Sequence, residues 1–215
     1  MNIENCGEQF DLKKFQDARL LTMKIVEEVA LCIKPGMAEK EAIDILNQKL
    51  VQNNFEKSWH PTKFRLGKNT LKSFREISEE VYLEENDMFF IDVGPVFFNH
   101  EADYGDTFVI GKNEEMLRLK NSAKIIFQKV ENYWRENKVN GKELFAFADN
   151  EAKKLNYELN ANMSGHRLGD FPHALYYKGG LFSIDITPAP NLWVLEIHIR
   201  DNELKRGAFF EDVLI

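Results

Sequence analysis

Asp92 ends the apolar run Met88-Phe89-Phe90-Ile91 and precedes Val93-Gly94-Pro95, a pattern that predicts a buried strand. A carboxylate in such a place costs several kcal/mol unless it is paired or bound to a metal. A salt bridge or a strand-end turn would also account for it. Asp103 follows in Asp103-Tyr104-Gly105-Asp106-Thr107-Phe108. A hairpin turning near Phe97 to His100 would bring this second strand back beside the first, so that the two carboxylates converge. Asp106, close by, reads as a turn cap or a loop hydrogen-bond acceptor. Further along, His166 and His173 share the Gly-rich stretch from Ser164 to His173, two of only five histidines in the chain. Such a pair is by itself a weak metal signal. Glu196 interrupts the strand-like run from Leu192 to Ile199, and Glu211 follows Phe209-Phe210 in another apolar strand. His198 lies two residues beyond Glu196 and so shares its strand face.

Each of these residues has an ordinary explanation alone. Together, Asp92, Asp103, Glu196, Glu211 and His166 match what a pair of divalent cations requires. Carboxylates bridge and neutralise two positive centres, and an imidazole completes one of them. An oxygen-rich set of this kind favours Mn, Co, Fe or Zn over a thiolate-type structural site.

The elements that must position these groups are readable from periodicity. Phe10 to Ile33 forms one helix, closed by Pro35-Gly36, and Ala38 to Val51 a second. The stretch from Phe55 to Ser78 is mixed and reads as loop with short strands. Strands follow at Met88 to Val93 and Tyr104 to Ile110. A third helix over Glu114 to Glu136 has Met116, Leu119, Ala123, Ile126, Val130 and Tyr133 at helical spacing, and a fourth covers Lys142 to Leu155. Leu181 to Ile186, Trp193 to Ile199 and Ala208 to Ile215 read as strands. The order helix, helix, strands occurs twice. It predicts an α+β fold of two halves, roughly 1–111 and 112–215, whose strands join in one curved, mostly antiparallel sheet with helices on its outer face. No linker separates the halves, so residues 1–215 are expected to form a single domain.

Composition narrows the partners. The chain has 215 residues and a net charge of -7 with no cluster of Lys and Arg, which argues against nucleic acid. No run is long enough to span a membrane, and the polar, acidic start of the chain is unlike a signal peptide. The two cysteines, Cys6 and Cys32, form no metal or redox motif. A disulfide between them stays open, although packing of Cys32 and a cytoplasmic location suit such sparse usage better.

From Ile33-Lys34-Pro35-Gly36-Met37 to Glu211, the pattern resembles the pita-bread metallopeptidase family of methionine aminopeptidases, Xaa-Pro aminopeptidases, prolidases and creatinase. Ile91-Asp92-Val93-Gly94 is similar to its first ligand strand, and Asp103 with Thr107-Phe108 and Gly111 to its second. Gly165-His166 with His173, then Glu196 and Glu211, follow in the family's order. The resemblance implies that Asp92 chelates one metal, that Asp103 and Glu211 bridge two, and that His166 and Glu196 hold the second. It implies that a metal-bridging hydroxide attacks the scissile carbonyl, with Glu196 as acid/base and His173 donating a hydrogen bond to the substrate.

The expected activity is thus release of the N-terminal residue of a peptide by a monomer or homodimer with Xaa-Pro aminopeptidase-like or related specificity. A creatinase-like hydrolase of a small C–N compound and a non-catalytic binding module are the alternatives, the last weakened by the presence of all five ligands. Three residues depart from the family. Arg167 replaces a small residue. Phe74 stands near where a pocket histidine is expected, and His198 lies where methionine aminopeptidases carry other residues. His198 is the first candidate to replace that histidine in the substrate pocket, and His60, in Ser58-Trp59-His60-Pro61, is the second. A surface loop is the plainer expectation for His60.

Overall fold

The computed structural model describes residues 2–169, 173 and 175–215. Asp170, Phe171 and Pro172, in the stretch between the two loop histidines, lie outside the described residues. Among the described residues there are four α-helices, α1 Leu12–Ala30, α2 Glu39–Gln52, α3 Glu114–Asn137 and α4 Gly141–Lys154. Their starts are capped as the sequence allows. Asp11 accepts from Lys13 N and Lys14 N at α1, and Asn113 does the same for Glu115 N and Met116 N at α3. Asn140 and Glu143 cap α4 reciprocally. Helix α1 stops at Ala30, short of Ile33.

Ten strands are described: β1 Lys57–Ser58, β2 Lys63–Leu66, β3 Asp87–Val93, β4 Pro95–Phe97, β5 His100–Glu101, β6 Tyr104–Ile110, β7 Glu158–Leu159, β8 His166–Arg167, β9 Trp193–Asp201 and β10 Arg206–Val213. The main sheet runs β2-β3-β6-β10-β9-β7, with β8 also on β9, and all its pairings are antiparallel. Strands β1, β4 and β5 make a small second sheet. The β6–β10 pairing, in register at Gly105 and Glu211, joins strands of the first half to strands of the second.

The fold is α+β, with a curved, mostly antiparallel sheet. Alternation divides its two faces. Ile91, Val93, Leu195, Ile197, Ile199, Ala208 and Phe210 pack with the buried stripes of the helices in one large apolar cluster. The other parity, Phe90 and Phe209 with Asp92, Glu196 and Glu211, faces away from the helices. Arg19 on α1 clamps that helix to β10. Its Nε donates to Asp212 Oδ1 at 2.5 Å, and Nη2 bonds the other oxygen.

One expected strand is absent. Leu181 to Ser183 form a 3-10 turn, not the strand expected over Leu181 to Ile186. Leu181, Phe182 and Ile184 are buried as expected, but against the start of α4. Leu181 O passes so close to Gly141 that a Cβ there would lie 1.9 Å from it. Apolar content predicted burial, but the chain makes only an isolated bridge, Gly180 to His166, before it turns at Leu181. Cys6 and Cys32 are not disulfide-bonded, and the Cys32 thiol donates to Glu28 O. Among the described residues no helix is long and apolar enough to cross a membrane.

Candidate metal centre

Strand register places the acids. Asp92 pairs with Gly105, Gly105 with Glu211, and Glu211 with Glu196, so one row crosses β3, β6, β10 and β9. Directly paired residues point to the same side of a sheet. Three carboxylates therefore project together around a position that has no side chain. A Cβ on Gly105 would meet the Phe209 ring at 2.5 Å and Ile91 O at 2.8 Å. Asp103 precedes Gly105 by two residues and joins the same face. His166 pairs with Val194, two residues before Glu196, and arrives on that face as well.

The groups meet at the floor of a cleft of about 740 Å³, whose walls include Trp59, His60, Phe74, Met163 and His173. This volume is in the range of ligand-binding clefts. His166 Nε2 is 2.9 Å from Asp103 Oδ2 and 3.8 Å from Glu196 Oε1. His60 Nε2 is 3.4 Å from Asp103 Oδ1 and 3.5 Å from Asp92 Oδ1. The surface-loop expectation for His60 does not hold: its side chain is 9% exposed. A Cβ on Gly94 would lie 2.2 Å from its ring, so the glycine is what admits it.

Burial raises Glu196 to about 7 and Asp92 to about 6. It pushes Glu211 well above the carboxylate range, with Asp103, Asp92 and Glu196 adding repulsion. Asp103 behaves oppositely: burial opposes its charge, but hydrogen bonds from His166 and His60 outweigh that and hold it low. Burial also disfavours charge on the two histidines. It is overcome at His60 chiefly by Asp92 and at His166 by the hydrogen bond to Asp103, and each is raised to about 9.

A divalent cation fits this donor set. Four acids face two imidazoles, and Glu211 Oε1, in a residue only 2% exposed, has no hydrogen-bond partner among the described residues. A native fold rarely leaves a buried polar atom in that state unless an ion or water completes it.

The shifts give the direction of a pH effect. Groups whose folded pKa is raised lend stability that is complete below the unfolded value and lost as pH rises through the folded one. For His60 and His166 that interval runs from 6.5 to about 9, and for Glu196 from 4.5 to about 7. The metal-stripped protein is therefore expected to lose stability as pH rises from 4.5 to about 9. Because a bound cation replaces those protons, the rise in melting temperature on adding Mn²⁺ or Co²⁺ should grow over the same interval. A metal-induced shift that stays flat or shrinks with pH would refute this linkage.

His173 stands at the side of the cleft. Its Nδ1 is 3.1 Å from Glu101 Oε2, and Trp59 stacks on its ring at 3.8 Å. With Nδ1 engaged, Nε2 is the nitrogen available to a ligand. Glu101 and Trp59 were not singled out in the sequence. Glu101 precedes Asp103 by two residues, and that parity was the available signal.

His198 corrects an expectation. It does share the strand face of Glu196, but it is completely buried and does not line the cleft. Its Nε2 bonds Thr70 O at 2.7 Å and its Nδ1 meets Asn160 at 2.8 Å. Burial lowers it to about 4, which keeps it a neutral core histidine. The 3-10 turn Gly67–Leu71 covers that end of the face. Phe74 does line the cleft, with its ring 5.5 Å from that of His60. Its loop is held by Arg65, which donates to Ser73 O and Glu76 O. Arg167 turns away from the cleft and donates to Ile3 O and Asn5 O, pinning the start of the chain.

The sequence profile of Metallopeptidase family M24 matches residues 13–215. No curated protein matches the chain. Solved structures with the same fold include an X-Pro aminopeptidase from Thermotoga maritima, with 21% identity, a TM-score of 0.76, and 94% of this chain and 58% of that one covered. A prolidase from Pyrococcus horikoshii has 20% identity, a TM-score of 0.76, and coverage of 97% and 59%. A methionine aminopeptidase from Thermotoga maritima has 14% identity, a TM-score of 0.74, and coverage of 97% and 94%. The chain spans less than two thirds of the length of the first two.

Proposed function

Because the chain belongs to Metallopeptidase family M24, we propose that it is a dinuclear-metal hydrolase that releases the N-terminal residue of a peptide. The observation that carries this reading is the row Asp92, Gly105, Glu211 and Glu196, which brings acids from both halves of the chain to Asp103 and His166. Asp92 would hold one cation and His166 with Glu196 the other, with Asp103 and Glu211 shared between them. When bound, such cations supply a water acidified toward neutral pH and a Lewis acid for the scissile carbonyl.

The protein's own groups do the rest. Glu196 takes a proton from the attacking water on a carboxylate oxygen and returns it to the leaving amine nitrogen. Its lining position in the cleft gives it access to both. Glu101 Oε2 holds the His173 ring at Nδ1, and with a proton on each ring nitrogen Nε2–H donates to the substrate carbonyl oxygen as charge develops there. Trp59 supports the same ring from its face.

His173→Ala is expected to lower the rate about 10²–10³-fold, the loss typical of one such donor. Metal affinity should be unchanged. A wild-type rate would remove His173 from the mechanism.

Xaa-Pro peptides are the favoured substrates. The two solved structures named for X-Pro cleavage or prolidase activity are more similar in sequence than the methionine aminopeptidase. Phe74 gives the cleft an apolar wall near where the family's first-half pocket histidine is expected, which sets this pocket apart from that of a methionine aminopeptidase. A screen of short peptides varied at the first two positions, run with Mn²⁺, Co²⁺, Fe²⁺ or Zn²⁺, tests the reading. Chelator-sensitive release from Xaa-Pro substrates and poor release of methionine are expected. Hydrolysis of no peptide with any of the four metals would sink it.

A further inference from the structure

Asp103 stands between two imidazoles that are held alike. His60 Nε2 approaches one of its carboxylate oxygens at 3.4 Å, and His166 Nε2 the other at 2.9 Å. In each ring the second nitrogen meets the carbonyl oxygen of the next residue. His60 Nδ1 lies 3.0 Å from Pro61 O, and His166 Nδ1 lies 3.0 Å from Arg167 O. An imidazole that donates Nδ1–H to a backbone carbonyl presents the Nε2 lone pair, which is how metal-binding histidines are usually oriented.

His60 also faces Asp92, and one donor atom from each of His60, Asp92 and Asp103 falls within 4.8 Å of the others. The ring is gripped on several sides. Trp59 meets it edge-on at 4.2 Å, Phe74 at 5.5 Å, and Gly94 lies beneath it without a Cβ. A substrate contact needs a nitrogen turned toward the open cleft. Here Nε2 is turned toward two carboxylates in a side chain only 9% exposed.

We propose that His60 is a resident metal ligand. It would act on the Asp92 side of Asp103, as His166 does on the Glu196 side, so that each of two cations receives one imidazole. The five ligands implied by the resemblance contain a single histidine, and His60 is a sixth, supplied by the loop between β1 and β2. This rests on the two-metal reading above. A nitrogen donor on both sides favours Zn, Co or Fe over Mg and Ca in both positions.

The test is titration of metal-stripped full-length protein with Co²⁺, followed by calorimetry and by visible d–d absorption, in wild type and His60→Ala. Wild type is expected to take up two equivalents. His60→Ala should weaken at least one of them by about 100-fold, the upper end of the roughly 10–100-fold lost when a group behind a ligand is removed, and should change the absorption envelope. His60→Gln, which refills the volume with an amide oxygen, should fold and recover part of the affinity. Gly94→Ala keeps the imidazole but displaces it, and should reproduce the loss. Isotherms and spectra like wild type in folded His60→Ala and His60→Gln would overturn the proposal, the more so if KM for a peptide rises, since that would make His60 a substrate contact. Failure of the wild type itself to bind Co²⁺ would overturn the two-metal reading as well.

Discussion

Glu196→Gln is expected to leave a folded, metal-binding protein that turns over peptide about 10²–10⁴-fold more slowly, the contribution usual for a positioned acid/base. The amide matches the carboxylate in size and retains one oxygen for a cation, but it cannot take a proton from water. Its fold should not suffer. Burial already disfavours the Glu196 charge and raises its pKa to about 7, so a neutral side chain removes a desolvation penalty. Glu196 faces the cleft with 13% of its side chain exposed, and the exchange creates no void. The result requires three measurements together: peptide release, bound metal and melting temperature. Lost metal alongside lost activity would show Glu196 acting as a ligand alone, and a wild-type rate would remove it from the proton path.

The largest expected loss of stability lies on the opposite face of the sheet. Arg19 and Asp212 pair through two hydrogen bonds, with side chains 15% and 8% exposed. Arg19→Met would leave the Asp212 carboxylate buried without its cation. Breaking one side of such a pair costs about 3–5 kcal/mol. For a chain of this size each kcal/mol corresponds to about 2–4 °C, so the melting temperature should fall by roughly 6–20 °C. The double variant Arg19→Met with Asp212→Leu should regain most of the loss, because the two charges then leave together. A single variant that melts like wild type, or a double variant no better than the single, would refute the account. Either variant that folds should still hold metal, since the clamp faces α1 and not the cleft.

The parts of this site that sit on regular strands were readable in the sequence. Asp92, Glu196 and Glu211 each interrupt an apolar run, and an acid where packing prefers none stands out against its neighbours. Helix α3 was readable because period and burial agree along its length. His60 was not. Its place depends on β1 pairing with β4 and on the missing Cβ at Gly94, two contacts distant in sequence within a mixed stretch. His198 shows the limit of parity. Spacing by two correctly put it on the face of Glu196, but a face extends along the whole strand. Only the turn over Thr70 decides where the cleft ends and the core resumes. Leu181 shows a similar limit, because apolar content specifies burial and says nothing about the partner that buries it.

The row of acids also instructs the fold. If β10 slid by one residue against β9 and β6, Glu211 would turn into the apolar layer beneath the helices and Phe210 would face outward. The same slip in β9 would bury Glu196, and in β3 Asp92, each at several kcal/mol without a partner. Misaligned sheets are therefore penalised at three strands by the residues that serve the cleft. Replacing those acids by apolar residues would spare the charges but leave the two faces harder to tell apart. A relative that gave up its chemistry would then have to find another means of keeping its strands in line.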